Sequence, residues 1–386
     1  MKNVLIVASA PSMIGQFNIE NILILQSMGY TVHVACNFNI KGIMDEESLN
    51  QLRRKLENLE VIAHQVDFKR GIGDIKTNIS CYKQLVTILQ ENKIDFMHCH
   101  SPIGGVLGRL AAKKVKIPVI YTAHGFQFFQ GGSRKDWLLF YPVEKYLSKY
   151  TDILITINNE DYNLAKKFKC GKLFKVSGVG IDYEKYYNPV SSEVIQSIKE
   201  ELRISEKSKV MISVGELTIR KNHIAGIHAL SILNNENIIY LICGSGAELE
   251  NLKAEAERLD VASQVIFLGY QSAIENYYAI SDISLFLSRR EGLGLAGLEA
   301  MAAGLPLVSS ALGGIKDYTE DGKTGYTIVD PTNCEEIAGA IHKLFDKNSE
   351  ELKKIAENNK NIAKEYDKSK VNILMRDIYG AMGKEI

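Results

Sequence analysis

Cysteine is sparse in this 386-residue sequence and follows no pattern: Cys36, Cys81, Cys99, Cys170, Cys243 and Cys334 show no C-x-x-C spacing. A disulfide framework and a conventionally spaced zinc site are not expected, and a reducing cytoplasm is the expected compartment. Proline is scarce too, at 7 residues, and no segment is dominated by one residue type, which rules out a disordered or low-complexity chain. Nowhere do 18 apolar residues run together, so no membrane-spanning helix is expected, while attachment at a membrane surface stays open. The apolar stretch Val4–Ala8 is too short for the core of a signal peptide, and polar Asn18, Glu20 and Asn21 follow it, so it reads as a first strand. An excess of one charge is also lacking, with 46 Lys+Arg against 46 Asp+Glu.

That balance hides an asymmetry. Residues 1–188 hold 24 Lys+Arg and 17 Asp+Glu, a net +7, and the remainder holds 22 and 29, a net −7. At roughly 150 residues per domain, the length favours two domains over one. Opposite charge suggests different partners, the basic half meeting something anionic such as a membrane surface, a polyphosphate or nucleic acid. Nucleic acid fits least, because no recognised motif with interleaved aromatics is present. Short β-branched runs alternate with helical patterns from Val4–Ala8 through Thr31–Ala35, Glu60–Val66, Phe96–Cys99, Val119–Thr122 and Asp152–Ile157 to Leu173–Val176. The rhythm lapses at Ser177–Asp182 and in a connector carrying Tyr183, Tyr186, Tyr187 and Pro189. After a helix near 191–203 it resumes with Val210–Val214, Ile238–Cys243, Gln264–Leu268, Ile283–Ser288 and Leu307–Ser310. The expected fold class is α/β, with two Rossmann-like, doubly wound parallel-sheet domains facing a cleft. They are placed at 1–188 and 189–367, and an amphipathic helix at 368–386 is expected to pack back on the first.

Open α/β sheets bind ligands beyond the carboxyl ends of their strands, and the strongest chemical signal lies in such a place. Ser288–Met301 follows a strand and opens a helix. Gly292 and Gly294 let backbone N–H groups around Leu293 and Leu295 approach a ligand closely, and the helix dipole favours negative charge there, so a diphosphate fits. Glu299, inside the helix, is suited to accept hydrogen bonds from sugar hydroxyls, while Glu291 sits nearer the phosphate end. Thr122-Ala123-His124-Gly125-Phe126 lies at another strand end, in the first half. His98 and His100 alternate along a strand but are not read as a metal pair: no carboxylate or third ligand is spaced nearby, and one of the two is expected to turn into the sheet face. Gln130–Lys149 mixes cations with the single tryptophan and several aromatics, as an element at a membrane surface would.

The E-x7-E pair Glu291 and Glu299, with its flanking Ser288–Ser310, resembles the family 4 retaining glycosyltransferases of GT-B fold. The resemblance runs backwards through Gly269–Ser288 and forwards through Gly313-Gly314 and Asp321–Asp330, and covers nearly the whole chain. It implies that Glu299 holds the nucleotide ribose, that Glu291 lies near the donor sugar and phosphates, and that the backbone at Gly294 and Leu295 faces the diphosphate. Val214–His223 resembles the family loop that brings cations to the diphosphate; it includes Gly215, Arg220 and Lys221, and Lys221 matches the family lysine. Where many members carry arginine after the first glycine, this chain has Glu216, and Arg220 or Arg290 is left to compensate. His124 matches the histidine that meets the donor sugar, and His124, Glu291 and Lys221 are the implied catalytic residues. Tyr270 and Gly15 complete the implied substrate contacts, Gly15 in a loop over Ser9–Phe17 that lacks the family's double glycine.

The neighbourhood from Thr122 to Tyr162 is similar to bacterial capsule and exopolysaccharide transferases. The implied reaction moves a hexose or N-acetylhexosamine from a UDP-sugar to a polyprenyl-diphosphate-linked glycan, with retention, at the inner face of the cell membrane. No D-x-D motif is present, so turnover without metal or other cofactor is expected. Two alternatives stay open on the sequence: a nucleotide-sugar 2-epimerase of the same fold, and a non-catalytic partner that only binds nucleotide sugar.

Overall fold

The structure, a computed structural model, describes residues 2–40, 44–100 and 102–383. Its central strands are near-continuous apolar runs because helices cover both faces of each sheet there, while the edge strands Ile62–Gln65 and Lys172–Lys175 mix polar with apolar residues and have none buried. In the first strand Val4 and Ile6 enter one core while Leu5 and Val7 enter another, each fully buried.

Seven parallel strands form the first sheet: β1 Lys2–Val7, β2 Tyr30–Cys36, β3 Ile62–Gln65, β4 Phe96–His100, β5 Val119–Ala123, β6 Ile153–Thr156 and β7 Lys172–Lys175. Their order is β3-β2-β1-β4-β5-β6-β7, so the winding reverses between β1 and β4. Six parallel strands form the second: β8 Lys209–Val214, β9 Ile238–Cys243, β10 Val265–Gly269, β11 Ile283–Phe286, β12 Leu307–Ser310 and β13 Gly325–Ile328. The order β10-β9-β8-β11-β12-β13 reverses between β8 and β11. Loops leaving strands at a reversal diverge to opposite faces, and the gap they leave is where a doubly wound sheet receives ligands. The edge strand β13 was not among the runs picked out above.

The chain divides into two compact units, one running to Val179 and resuming at Ser369, the other spanning Gly180–Lys368. This corrects the boundary expected at residue 188. The tyrosine-rich connector is part of the second unit: Ile181 pairs with Asp367, the Asp367 carboxylate accepts from the Tyr183 N–H at 3.2 Å, and Tyr183–Tyr187 is helical. The last helix, Lys368–Gly383, adds Val371, Met375, Ile378, Tyr379 and Met382 to the core on one face of the first sheet.

Candidate active site

At the β8/β11 reversal two loops meet. After β8 the chain turns through Gly215–Lys221, anchored by the fully buried Leu217. Asn222 ends the turn in the left-handed region (φ 60°), and its amide donates to the carbonyls of Leu287 at 3.1 Å and Pro331 at 2.7 Å. That ties the basic loop to the segment leaving β11, and the Arg289 N–H closes the tie on the Arg220 carbonyl at 2.8 Å. The result is a three-residue ionic knot. Glu291 Oε1 lies 2.6 Å from Lys221 Nζ and 3.1 Å from Arg220 Nη1, and Arg220 Nη1 also donates to the Arg290 carbonyl at 3.1 Å. Two cations and one carboxylate leave one positive charge in excess. Glu216, in the place of the family arginine, is exposed, and Arg220 supplies the second cation of the knot.

Beyond the knot, Gly294 (φ 87°) caps the eight-residue helix Leu295–Ala302. A side chain at this position would meet Phe286 Cζ at 2.6 Å, so both the backbone conformation and the space require glycine. The Tyr318 hydroxyl braces the same turn by donating to the Gly294 carbonyl at 2.9 Å. From beneath, Gly313-Gly314 supports Gly292 and Leu293: a Cβ at Gly314 would stand 2.0 Å from the Gly292 carbonyl oxygen. Glu299 lies one turn into the helix and is half-buried. Burial pushes its carboxyl pKa up, opposed by the Tyr186 hydroxyl that donates to it and by the charges of Lys185 and Lys221. Tyr186 comes from the connector and was not singled out as a site residue; no local spacing relates it to Glu299.

In the first unit the strand ends carry histidines. His98 and His100 lie on the same face of β4, since residues two apart in a strand do, and their ring centroids are 4.1 Å apart. The expectation that one would turn to the opposite face is therefore corrected. His98 bonds the Tyr379 hydroxyl and the Thr122 hydroxyl, each at 2.8 Å. His100 Nδ1 lies 2.9 Å from His124 Nε2, an N···N contact that shares a single proton. Burial lowers the pKa of His124 to about 4 and that of His98 to about 3, and burial beside the other two imidazoles takes His100 well below its ordinary value. The cluster is neutral at pH 7. No group of three or more metal-ligating side chains is found among the described residues.

Two further residues are expected at the site, Gly15 and Tyr270. Gly15 lies in the helix Pro11–Phe17, not in a loop, and faces the Leu52 side chain. Tyr270 stands 81% exposed beyond the edge strand β10, and no contact joins it to Lys221, Glu291 or Glu299 among the described residues. Within Gln130–Lys149 the aromatic and aliphatic side chains face two ways. Trp137 turns inward, its indole N–H donating to the Phe129 carbonyl at 3.0 Å, while on the helix Arg134–Leu147 the Leu138 side chain is exposed and Leu139, more than half exposed, borders a hollow of the first unit. No helix among the described residues is long and apolar enough to cross a membrane.

Against known proteins, residues 194–362 match the family described as glycosyl transferases group 1, and residues 5–158 match the glycosyl transferase 4-like family. EpsD of Bacillus subtilis, which carries the name of a glycosyltransferase, is 32% identical over 98% of this chain and 97% of its own length. The Escherichia coli UDP-Gal:alpha-D-GlcNAc-diphosphoundecaprenol alpha-1,3-galactosyltransferase is 30% identical over 71% of each chain. Among solved structures, Anabaena HepE, crystallised with UDP and glucose, superposes with a TM-score of 0.78 over 99% of this chain and 100% of its own, at 18% identity. That likeness shows the GT-B fold.

Proposed function

The chain belongs to the group 1 glycosyl transferases, and from that premise we propose that it transfers a hexosyl or N-acetylhexosaminyl group from a UDP-sugar to a polyprenyl-diphosphate-linked glycan in exopolysaccharide or capsule synthesis. The E. coli relative, whose name gives a UDP-sugar donor and a lipid-diphosphate acceptor, supports this choice of substrates. The observation that carries the reading is the knot of Lys221, Arg220 and Glu291 beside the Gly294-capped helix N-terminus.

Cleavage of the C1–O bond to the diphosphate is the difficult event. Positive charge develops on the sugar ring while the leaving oxygen gains negative charge, so cations and N–H groups already in position stabilise the transition state more than the ground state. Lys221 and Arg220 supply that charge here, and Glu291 holds both until the diphosphate arrives. With cations taking this role, the reaction is proposed to need no metal. Glu299 is assigned to the ribose hydroxyls. Glu291 is already paired with two cations and is a poor nucleophile, which favours attack on the same face as departure. The acceptor oxygen forms the new bond to C1, its proton passes to the departing phosphate oxygen, and the configuration is retained. His124, neutral, is assigned to a hydroxyl of the transferred sugar.

The test is sugar transfer to N-acetylglucosamine diphosphate esterified to a short alkyl chain, in EDTA, across UDP-, GDP- and ADP-sugars. Product with one UDP-sugar, its anomeric configuration read by NMR, is expected. An inverted product, or transfer that appears only when manganese is restored, would contradict the mechanism.

A further inference from the structure

The first unit contains a cavity that the reaction described above leaves unused. It holds about 530 Å³ and opens at the carboxyl ends of the strands, beside Ser9 and the Gly125–Gln127 segment that directly follows His124. Ligand pockets commonly fall in the range of roughly 300–1,000 Å³. From the strand ends the cavity runs between the helices Pro102–Val115 and Arg134–Leu147, walled by Ile103, Val106, Leu107, Leu139, Phe140 and Val143. The titratable groups in its wall are Tyr121 and Glu144, and they engage one another. The Glu144 carboxylate lies 2.9 Å from the buried Arg109 guanidinium and accepts from the Tyr121 hydroxyl at 3.1 Å. Both ionisable groups of the wall are therefore engaged by protein partners.

A second hollow continues the first. It shares Asn78 and Leu107 with it and passes between the helices Ile75–Glu91 and Pro102–Val115, lined by Ile75, Ile79, Tyr82 and Leu110. This end is open. Ile75 is 81% exposed, and the exposed cations Lys113 and Lys114 stand at the rim. The two hollows make an apolar trough with one end at the histidine cluster and the other among lysines.

We propose that this trough holds the first isoprene units of the lipid-linked acceptor, an inference that rests on the acceptor class assigned under Proposed function. Three features fix the occupant. The walls between the helices are mostly aliphatic and aromatic, with Ser9, Asn78 and Gln127 the uncharged polar side chains among them, which suits an aliphatic chain better than a sugar. The trough begins beside His124, so a chain lying in it is continuous with a head group held at the strand ends. It finishes at cations, which complement the anionic surface of the bilayer from which such a chain emerges. A concave channel takes one chain, unlike a flat apolar patch that dips into a membrane.

The experiment uses N-acetylglucosamine diphosphate esters of methyl, geranyl and farnesyl alcohols, below their micelle-forming concentrations, together with direct binding of farnesyl diphosphate. KM should fall on the order of tenfold or more from methyl to farnesyl, since each buried methylene adds to binding. Leu139→Asp and Val143→Glu change residues that line the trough, and both should erase that dependence and the binding of farnesyl diphosphate. Leu138→Asp, at a neighbouring position that is 78% exposed and outside the trough, should keep the wild-type ratio. Equal KM for methyl and farnesyl esters would overturn the proposal, as would equal damage from the variants at 138 and 139, the mark of a surface effect. Chain-dependent binding of farnesyl diphosphate without sugar transfer would uphold the trough and defeat the transferase acceptor. Efficient transfer to every ester alike would do the reverse.

Discussion

Where β8 and β11 part, the second unit gathers two cations and two carboxylates around a helix N-terminus. Where β1 and β4 part, the first unit gathers neutral imidazoles above an apolar trough. The two sheets share one winding scheme, so the scaffold fixes where a ligand binds, and the loops decide what kind. Charge is affordable in the second unit because each ion has a partner. Lys221 and Arg220 have Glu291, and Glu299 has the Tyr186 hydroxyl. In the first unit no carboxylate among the described residues is bonded to His98, His100 or His124; they bond each other, Thr122 and Tyr379, and burial keeps them neutral.

Breaking the charged half should do the most harm. Lys221→Ala removes the closer cation and leaves Glu291 with a weaker partner; kcat/KM for the donor should fall by about 10²–10³, the range for one group that stabilises a leaving oxygen. Steady-state kinetics should find acceptor KM little changed. In the neutral half, His100→Ala should act through His124 by freeing its tautomer and ring orientation, with a loss of about tenfold in kcat and an unchanged Kd for UDP by calorimetry. An equal loss of UDP affinity would mean that the first unit's histidines serve the nucleotide as well.

The histidines also predict a direction in pH. A group whose pKa is lowered on folding takes up its proton more readily when unfolded, so folded stability rises with pH across the interval between the two values. For His124 that interval runs from about 4 to 6.5. Urea midpoints should therefore drop as pH falls from 6.5 towards 4 and stay flat from 6.5 to 8, as far as the cluster decides them. Gly314→Ala would force a methyl against the Gly292 carbonyl and is expected to cost about 1–3 kcal/mol, with a matching loss of UDP affinity. The smallest effect is a gain. Glu216→Arg restores the arginine found in many family members at an exposed position and should tighten UDP binding only a few-fold, vanishing at high salt as exposed charge effects do.

Much of this was legible in the sequence wherever the signal was local. The β-branched runs located twelve of the thirteen strands: the central ones, buried on both faces, stand out by composition, and the exposed edges β3 and β7 were found by the alternation with helices. β13 escaped: it is a four-residue edge strand that opens on Gly325 and whose only β-branched residues are Thr327 and Ile328 at its end. The E-x7-E spacing drew attention to Glu291 and Glu299, yet their partners lie far off in the chain. Tyr186 reaches Glu299 from the connector, and Tyr379 reaches His98 across 281 residues. Contacts of that kind have no spacing to read. Gly15 was expected in a loop on the family resemblance alone, whereas Pro11 at the helix start and packing on Leu52 keep this segment helical.

The central claim is that a diphosphate is held by protein cations at the β8/β11 reversal. Calorimetric titration of UDP in the presence of EDTA, for the wild type beside Lys221→Ala and Glu299→Ala, tests it most directly. The account predicts metal-free binding to the wild type, weakened strongly by the loss of Lys221 and measurably by the loss of Glu299. Absence of binding until a divalent cation is added, or binding that neither substitution disturbs, would contradict it.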